Sequence, residues 1–547
     1  MKMKILAAQI NPTIGALKEN TDKILQAIAH GKKLAADLIL FPELALTGYP
    51  PQDLLLLPHF MEQVLFQLDK IREACIDIIA IVGLPRPNPD RREKGLFNSA
   101  AIIQNQKIVG FQDKFLLPTY DVFDERRYFE PATSIKTWNL KGKRVGITVC
   151  EDIWQHSALI AETSYHKNPV EELLPFKPEL LLNLSASPFS LSKFATRMKV
   201  CSEAARALRC PLIFCNQVGA NDSLIFDGYS QHLNAKGELV HLAKGFEEDW
   251  LLIDLNASSP LIYPQKIATE ELYKALILGV KDYFHKSGFQ KACLGLSGGI
   301  DSAVVACIAV KALGAKNVMG VSMPSRYSSP GSKEDAQILA QNLGIDYRQI
   351  CIEKAFQSYL ELLEPQFRTL PIDHTEENLQ ARVRGMILMA LSNKFGHMVL
   401  NTGNKSELAM GYSTLYGDMC GALAVLGDVL KRDVYALAHW INRHQVIIPQ
   451  STLDKPPSAE LRPNQTDQDS LPPYGTIDHI LQAYVEEGQS SERIAKNFDY
   501  PVKLVEELIR KIHQNEYKRR QSPPALRISE KAFLTGRCFP IVERWIN

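Results

Sequence analysis

The sequence predicts a two-domain α/β protein, and three observations carry that prediction. Short apolar runs of strand length alternate with helically spaced apolar patterns through both halves of the chain. A strand, a glycine turn and a helix follow one another directly at residues 292–313. Between the halves, Asn256-Ala-Ser-Ser-Pro260 and Pro264-Gln-Lys-Ile-Ala-Thr-Glu270 hold small, polar and proline residues without periodicity, which marks a linker. A chain of 547 residues has room for about three or four domains, and large α/β units reduce that number to two. The boundary is expected near residue 262, giving domains 1–262 and 263–547.

Composition narrows the class. Hydrophobic residues make up 46% of the chain and charged ones 22%, the balance of an ordinary globular protein. Lys and Arg total 62 against 61 Asp and Glu, so neither nucleic acid nor a membrane is expected as a partner. Lys518-Arg519-Arg520 is a local cluster of the kind a solvated surface carries. Met1–Ile10 imitates a signal peptide briefly, but Gln9, Asn11 and Pro12 cut the apolar run short. No apolar run approaches the roughly 20 residues that span a bilayer. The ten cysteines form no Cys-x-x-Cys pair, and Cys201, Cys210 and Cys215 lack zinc-like spacing with histidines. Scattered thiols in a long chain suit a reducing compartment, so a cytoplasmic location is expected.

In the first half, Ile5–Ile10 reads as a strand, Leu17–Ala36 as a helix and Asp37–Phe41 as a second strand. Further strands are expected at Ile76–Val82, Ala100–Ile103, Lys107–Phe111, Arg144–Val149, Leu180–Asn183, Pro211–Cys215 and Trp250–Leu255. Helical patterns at Phe60–Glu73 and Phe194–Ala207 separate several of them, and others are close enough for hairpins. Three strands run into residues with chemical potential: Pro42-Glu43-Leu44, Lys114-Phe-Leu-Leu-Pro118 and Cys150-Glu151-Asp152. Strand ends distant in sequence can meet in space, so Glu43, Lys114 and Cys150 are candidates for one cluster. A carboxylate can take a thiol proton, an ammonium can stabilise thiolate and oxyanion, and a thiolate can attack an amide carbonyl. Two alternatives stay open at this point: a buried structural cysteine, and a Cys–His dyad with His156.

Pro-Glu-Leu-Ala-Leu-Thr-Gly-Tyr49, Lys-Phe-Leu-Leu-Pro118 and Val-Cys-Glu-Asp-Ile-Trp154 resemble the three catalytic motifs of the nitrilase (carbon–nitrogen hydrolase) superfamily. Leu182-Asn-Leu-Ser-Ala-Ser-Pro188, Asn216-Gln-Val-Gly219 and Phe226-Asp-Gly-Tyr-Ser230 resemble it as well. The resemblance implies an αββα sandwich with Glu43 as general base, Lys114 supporting the intermediate and Cys150 as nucleophile.

The second half resumes with a helical pattern at Glu270–His285, then the apolar run Ala292–Leu296, the turn Ser297-Gly298-Gly299 and a helix at Ile300–Leu313. A glycine turn opening a helix is an anion site, because unpaired N–H groups and the helix dipole act together. Asp301 is out of place beside a bare anion and makes sense if a divalent cation bridges it to phosphate. No Gly-x-x-x-x-Gly-Lys-Ser/Thr loop occurs; Ser-Gly-Gly-Ile-Asp-Ser302 instead resembles the pyrophosphate-binding loop of the ATP pyrophosphatases. Strands at Val318–Met323, Asp346–Ile352 and Met398–Thr402 alternate with helices at Ser332–Leu343 and Glu376–Phe395, which predicts a Rossmann-like parallel sheet with ligands at the strands' carboxyl ends. Glu407, just past one such end, is the natural second carboxylate for a cation near Asp301. Residues 451–477 show no periodicity and are expected to form a long loop.

A nitrilase-type domain followed by Gly-Leu-Ser-Gly-Gly-Ile-Asp-Ser302, Thr-Gly-Asn-Lys-Ser-Glu407, Lys-Pro-Pro-Ser-Ala-Glu-Leu461 and Glu-Tyr-Lys-Arg-Arg-Gln521 resembles the family of glutamine-dependent NAD⁺ synthetases along essentially the whole chain. The resemblance implies L-glutamine, deamido-NAD⁺ and ATP as substrates, with Mg²⁺. It implies that Tyr120, Ser187 and Lys193 hold glutamine, with Lys193 standing where some relatives have Arg. Gly295, Leu296, Ser297, Gly298, Gly299, Ile300, Asp301, Ser302, Thr402, Lys431 and Ser458 would contact ATP. Asp301 and Glu407 would hold Mg²⁺, and Asn378, Glu407 and Lys518 would contact deamido-NAD⁺. A homo-oligomer is expected. Two rivals share part of the pattern: another ATP pyrophosphatase, such as an asparagine- or GMP-type amidotransferase or a tRNA-modifying enzyme, and an amidase carrying a nucleotide-sensing module.

Overall fold

Ile5-Leu6-Ala7-Ala8 is apolar without alternation because its strand is covered on both faces. The computed structural model describes residues 3–90, 93–157, 165–257, 259–263, 266–368 and 370–545. Of the linker residues, Ser258, Pro264 and Gln265 lie outside these. The chain divides into two units, Met1–Gln265 and Lys266–Asn547.

The first unit contains β1 (Lys4–Gln9), β2 (Leu38–Leu40), β3 (Ile79–Pro87), β4 (Leu96–Gln104), β5 (Lys107–Asp113), β6 (Thr137–Leu140), β7 (Lys143–Val149), β8 (Leu180–Ser185), β9 (Leu212–Asn216), β10 (Val218–Asn221), β11 (Leu224–Asp227), β12 (Gln231–Leu233), β13 (Leu239–Leu242) and β14 (Asp249–Asp254). Two six-stranded sheets form, in the orders β14-β1-β2-β3-β4-β5 and β13-β12-β9-β8-β7-β6. Ile5, Ala7, Leu38 and Leu40 from one sheet share a core with Val145, Ile147, Leu182 and Leu184 from the other. The opposite faces pack on α1 (Leu17–Lys33) and α2 (Pro58–Ala74) in one case, and on α3 (Pro169–Leu173) and α4 (Lys193–Leu208) in the other. This is an αββα sandwich. β6 and β10 to β13 have no counterpart among the expected strands, because they are three or four residues long and bury polar groups such as Gln231 and His232.

The second unit is built on β15 (Ala292–Gly295), β16 (Val318–Ser322), β17 (Asp346–Gln349), β18 (Met398–Asn401) and β19 (Leu423–Ala424). All pairings are parallel, in the order β17-β16-β15-β18-β19. The order reverses between β15 and β18, so the crevice past their carboxyl ends is the switch point where ligands bind in such sheets. The helices are α5 (Ala268–Lys286), α6 (Ile300–Leu313), α7 (Pro330–Leu343), α8 (Glu353–Phe367), α9 (His374–Phe395), α10 (Lys405–Met410), α11 (Lys431–Asn442), α12 (Gln450–Asp454), α13 (Tyr474–Leu481), α14 (Ser491–Phe498), α15 (Val502–Gln514) and α16 (Glu516–Arg519). Lys405 anchors α10 from a fully buried position, its ammonium 2.8 Å from Glu486 and Ser529 and 3.0 Å from Asp428.

One expectation fails here. Residues 451–477 are not one loop, since α12 takes the beginning and α13 the end. Only residues 455–473 are irregular, with a single turn of helix at Asp467–Asp469. Prolines at 449 and 473 each start a short helix without needing the N–H that a preceding turn would use, so no long periodic pattern advertises either one.

Candidate active sites

The first site forms where β2, β5 and β7 end. Lys114 Nζ donates to Glu43 Oε1 and Glu125 Oε1, both at 2.7 Å, and all three side chains are buried. Tyr49 OH donates to the same Glu125 oxygen at 2.9 Å, and the Ala186 N–H donates to Glu43 Oε2 at 3.1 Å. Gly83 on β3 makes room for Glu43: a Cβ there would stand 2.3 Å from Pro42 O and 2.8 Å from Glu43 Cα.

Cys150 follows β7 with φ +42°, a left-handed conformation that costs a non-glycine residue energy and is imposed by its surroundings. Asp152 supplies the constraint. Its carboxylate accepts from the N–H groups of Val149, Phe115 and Leu116 at 2.8 to 2.9 Å, tying the Cys150 turn to the Lys114 segment. Burial pushes the Cys150 thiol well above its usual range; Glu43 adds to this and Lys114 opposes it. Burial works against the Lys114 ammonium, yet Glu125 and Glu43 outweigh it and keep it charged. Burial pushes Glu125 up to about 7, with Lys114 pulling down and Glu43 pushing up. His156 turns elsewhere, 3.3 Å from Asn168 Nδ2 and 3.8 Å from Glu171, which leaves Glu43 rather than a histidine beside the thiol.

The expected glutamine residues surround this cluster. Tyr120 OH donates to both oxygens of Glu151 at 3.1 Å, next to Cys150. Lys193 opens α4 with its ammonium 4.4 Å from the centre of the Trp154 ring, within electrostatic reach of Glu151. Ser187 follows the residue that caps Glu43, and its N–H donates to Asn216 Oδ1 at 2.9 Å. Glu125 and Glu151 were not singled out by the sequence reading. Glu125 sits in Asp124-Glu-Arg-Arg127, which reads as a solvated charge run, and carries no pattern that would single it out.

The second site is a cavity of about 300 Å³ at the switch point. Gly295, Leu296, Ser297, Gly299, Ile300, Asp301 and Ser302 form one wall, and Thr402, Glu407, Lys431 and Ser458 lie on others. No side chain caps α6, so the donors of its first turn are left for a ligand. Gly298 lies behind the wall: its φ is +80°, a Cβ would meet Ser332 O at 2.2 Å, and its carbonyl accepts from Lys455 Nζ at 2.9 Å. Asn378 and Lys518 also stand behind the lining. Asn378 Oδ1 accepts from Thr414 Oγ1 at 2.7 Å, and Lys518 Nζ donates to the carbonyls of Gly411 and Ser413, of which Ser413 lines the cavity.

Lys431 Nζ bridges two carboxylates, 2.5 Å from Asp301 Oδ2 and 3.4 Å from Glu407 Oε1. Burial pushes Glu407 up to about 8, the charge of Asp301 adds and Lys431 subtracts. Two carboxylates that share one ammonium fit a hard divalent cation that takes one or two protein oxygens and completes its shell with phosphate and water. Among the described residues no group of three or more His, Cys, Asp or Glu is arranged to hold a metal by itself. Lys455 and Glu460 draw the 455–473 segment onto this site: Lys455 Nζ donates to Ser332 Oγ at 2.9 Å, and Glu460 accepts from Ser329 Oγ and Ser332 Oγ at 2.9 and 2.6 Å.

Fold and sites together define an amide-hydrolysing αββα sandwich joined to a nucleotide-binding parallel α/β unit. The family model for carbon-nitrogen hydrolases matches residues 4–259 and that for NAD synthases matches residues 272–522. The chain is 48% identical to a glutamine-dependent NAD⁺ synthetase from Synechocystis sp., covering 98% of each, and 42% identical to one from Thermotoga maritima, covering 100% and 99%. Among solved structures, the glutamine-dependent NAD⁺ synthetase of Acinetobacter baumannii, in complex with ADP, superposes with a TM-score of 0.78 at 38% identity over 99% of both chains. One from Cytophaga hutchinsonii, 22% identical over 99% and 98%, shares the fold with a TM-score of 0.84. The chain belongs to the glutamine-dependent NAD⁺ synthetase family.

Proposed function

We propose that this chain makes NAD⁺ from deamido-NAD⁺, ATP and L-glutamine, releasing AMP, pyrophosphate and L-glutamate. The observation that carries the reading is one chain holding both a buried Cys150–Glu43–Lys114 cluster and an uncapped glycine turn beside Asp301 and Glu407. In the first unit, Tyr120, Ser187 and Lys193 hold glutamine while Cys150 attacks its side-chain carbonyl. Glu43 takes the thiol proton and returns it to the departing ammonia, and Lys114 stabilises the oxyanion. Water activated by Glu43 then cleaves the thioester, giving glutamate.

In the second unit, the nicotinate carboxylate of deamido-NAD⁺ attacks the α-phosphorus of ATP, and residues 295–302 retain the departing pyrophosphate. Ammonia replaces AMP at the resulting acyl adenylate. Thr402, Lys431 and Ser458 hold ATP, while Asn378, Glu407 and Lys518 position deamido-NAD⁺. Asp301 and Glu407 would hold Mg²⁺, which when bound neutralises charge on the phosphates.

AMP and pyrophosphate should accumulate in step with NAD⁺ when deamido-NAD⁺ and ATP are supplied with either glutamine or ammonium. ADP and orthophosphate as primary products would exclude adenylation. ATP binding with no AMP formation would instead support the nucleotide-sensing amidase.

Among the described residues no helix is long and apolar enough to cross a membrane. A cytoplasmic homo-oligomer completes the reading. Leu362, Leu370, Ile372, Met386 and Met389, all exposed on or beside α8 and α9, supply apolar surface for self-association. Light scattering giving a monomer mass at micromolar concentration would contradict it.

A further inference from the structure

Asn98 on β4 is 1% exposed and lies against the Glu43 cluster. Its Nδ2 donates to Glu43 Oε1 at 2.7 Å and reaches Glu125 Oε2 at 3.5 Å, while its backbone carbonyl accepts the Lys114 N–H at 2.8 Å. Its Oδ1 is buried and has no hydrogen-bond partner among the described residues. The surroundings fix the orientation: the flipped amide would turn a carbonyl oxygen toward two carboxylates. A buried acceptor without a partner lowers stability, so packing alone would be served better by an apolar side chain of this size. The use of Asn here lies in the N–H it directs at the base. The groups facing that amide are Glu43, Lys114, Glu125 and, through Glu125, Tyr49.

We infer that Asn98 is a positioning residue for glutamine hydrolysis: its amide fixes the Glu43 carboxylate in one orientation, ready for the Cys150 proton. The inference rests on the proposed roles of Glu43 and Cys150. Lys114 alone does not do this work, because a single ammonium leaves the carboxylate free to rotate about the shared contact, whereas two donors on Oε1 with the Ala186 N–H on Oε2 define its plane.

The test compares wild type with Asn98→Leu and Asn98→Asp. Asn98→Leu should lower glutamine-driven kcat by about ten- to a hundredfold, the range a hydrogen bond to a charged group supports. KM for glutamine should stay within about threefold, as expected when the loss falls on the transition state. Tm should not fall, since the partnerless Oδ1 is removed with the amide. Asn98→Asp keeps the shape and can donate while protonated, so its activity should be retained on the acid side and lost as pH rises. Ammonium-driven synthesis reports folding in both variants. An unimpaired kcat, a loss that falls on KM for glutamine instead, or a loss of glutamine- and ammonium-driven rates together with a lower Tm, would overturn the inference. Cys150→Ala run alongside tests the underlying reading: full glutaminase rate there sinks both, whereas its loss beside an unimpaired Asn98→Leu sinks the inference alone.

Discussion

Lys431 Nζ lies 2.5 Å from Asp301 Oδ2, so the ammonium neutralises the carboxylate that faces the glycine turn. A nucleotide-bound cation would compete with that ammonium for Asp301 and Glu407. Asp301→Ala and Glu407→Ala should each lower NAD⁺ formation from glutamine and from ammonium by about a thousandfold, because metal-assisted charge stabilisation is worth several kcal/mol. Glutaminase activity of the first unit should remain measurable. Near-normal ammonium-driven synthesis in either variant would remove that residue from the site.

The two half-reactions should separate by mutation. Cys150→Ala should lose glutamine-driven synthesis by at least about a thousandfold, as loss of a covalent nucleophile costs, while high ammonium restores NAD⁺ formation. Lys114→Ala should behave alike. A glutamine-like alkylator should label Cys150 ahead of the other nine cysteines, including exposed Cys351 and Cys538. Peptide mapping that finds Cys351 or Cys538 labelled first, together with sustained glutamine use by Cys150→Ala, would place the nucleophile elsewhere.

The segment 455–473 should close more tightly over bound substrates and exclude water from the adenylate. Lys455 and Glu460 already bind Ser332 on the wall and Gly298 and Ser329 beside it. Limited proteolysis within this segment should slow when an ATP analogue and deamido-NAD⁺ are both present. Equal nicking rates would indicate a passive loop.

Glu125 gives a pH-dependent signature. Its folded value near 7 lies above the ordinary carboxylate value of 4.5, so the folded state binds the proton more tightly than the unfolded chain. The associated stability is fully present below about pH 4.5 and is lost as pH rises through 7, with an amplitude on the order of 1–3 kcal/mol. Glu125→Gln lacks this titration. The Tm difference, wild type minus Glu125→Gln, should therefore favour wild type more at pH 5 than at pH 8. A difference that is flat, or larger at pH 8, would contradict the assignment.

The chemistry at strand ends was legible because most of these strands are apolar runs, so the residues that follow them mark a carboxyl edge. Glu43 and Cys150 stand just past such runs, Lys114 follows the polar end of β5, and Asp301 and Glu407 lie a few residues past β15 and β18. Glu125 and Asn98 were not legible in that way. Glu125 enters from a polar turn held by its own N–H on Pro118 O, and Asn98 lies inside β4, where it and Ser99 read as a polar approach to the apolar run Ala100–Ile103. Contacts of this kind are made across sheets and leave no periodic trace. The same limit hid β10 to β13, whose buried Gln231 and His232 break the apolar pattern. It also made residues 451–477 look uniformly irregular when only their middle is.

Gly83 has a wider consequence. The Glu43 carboxylate owes its place to a hollow on the neighbouring strand as much as to the groups that bind it. On the proposed roles, evolution or engineering can reshape the surroundings of Tyr120 and Lys193 to admit a different amide. Position 83 is closed to that kind of change: any added carbon pushes on the peptide that carries Glu43, so a new specificity has to be found without altering the floor beneath that carboxylate.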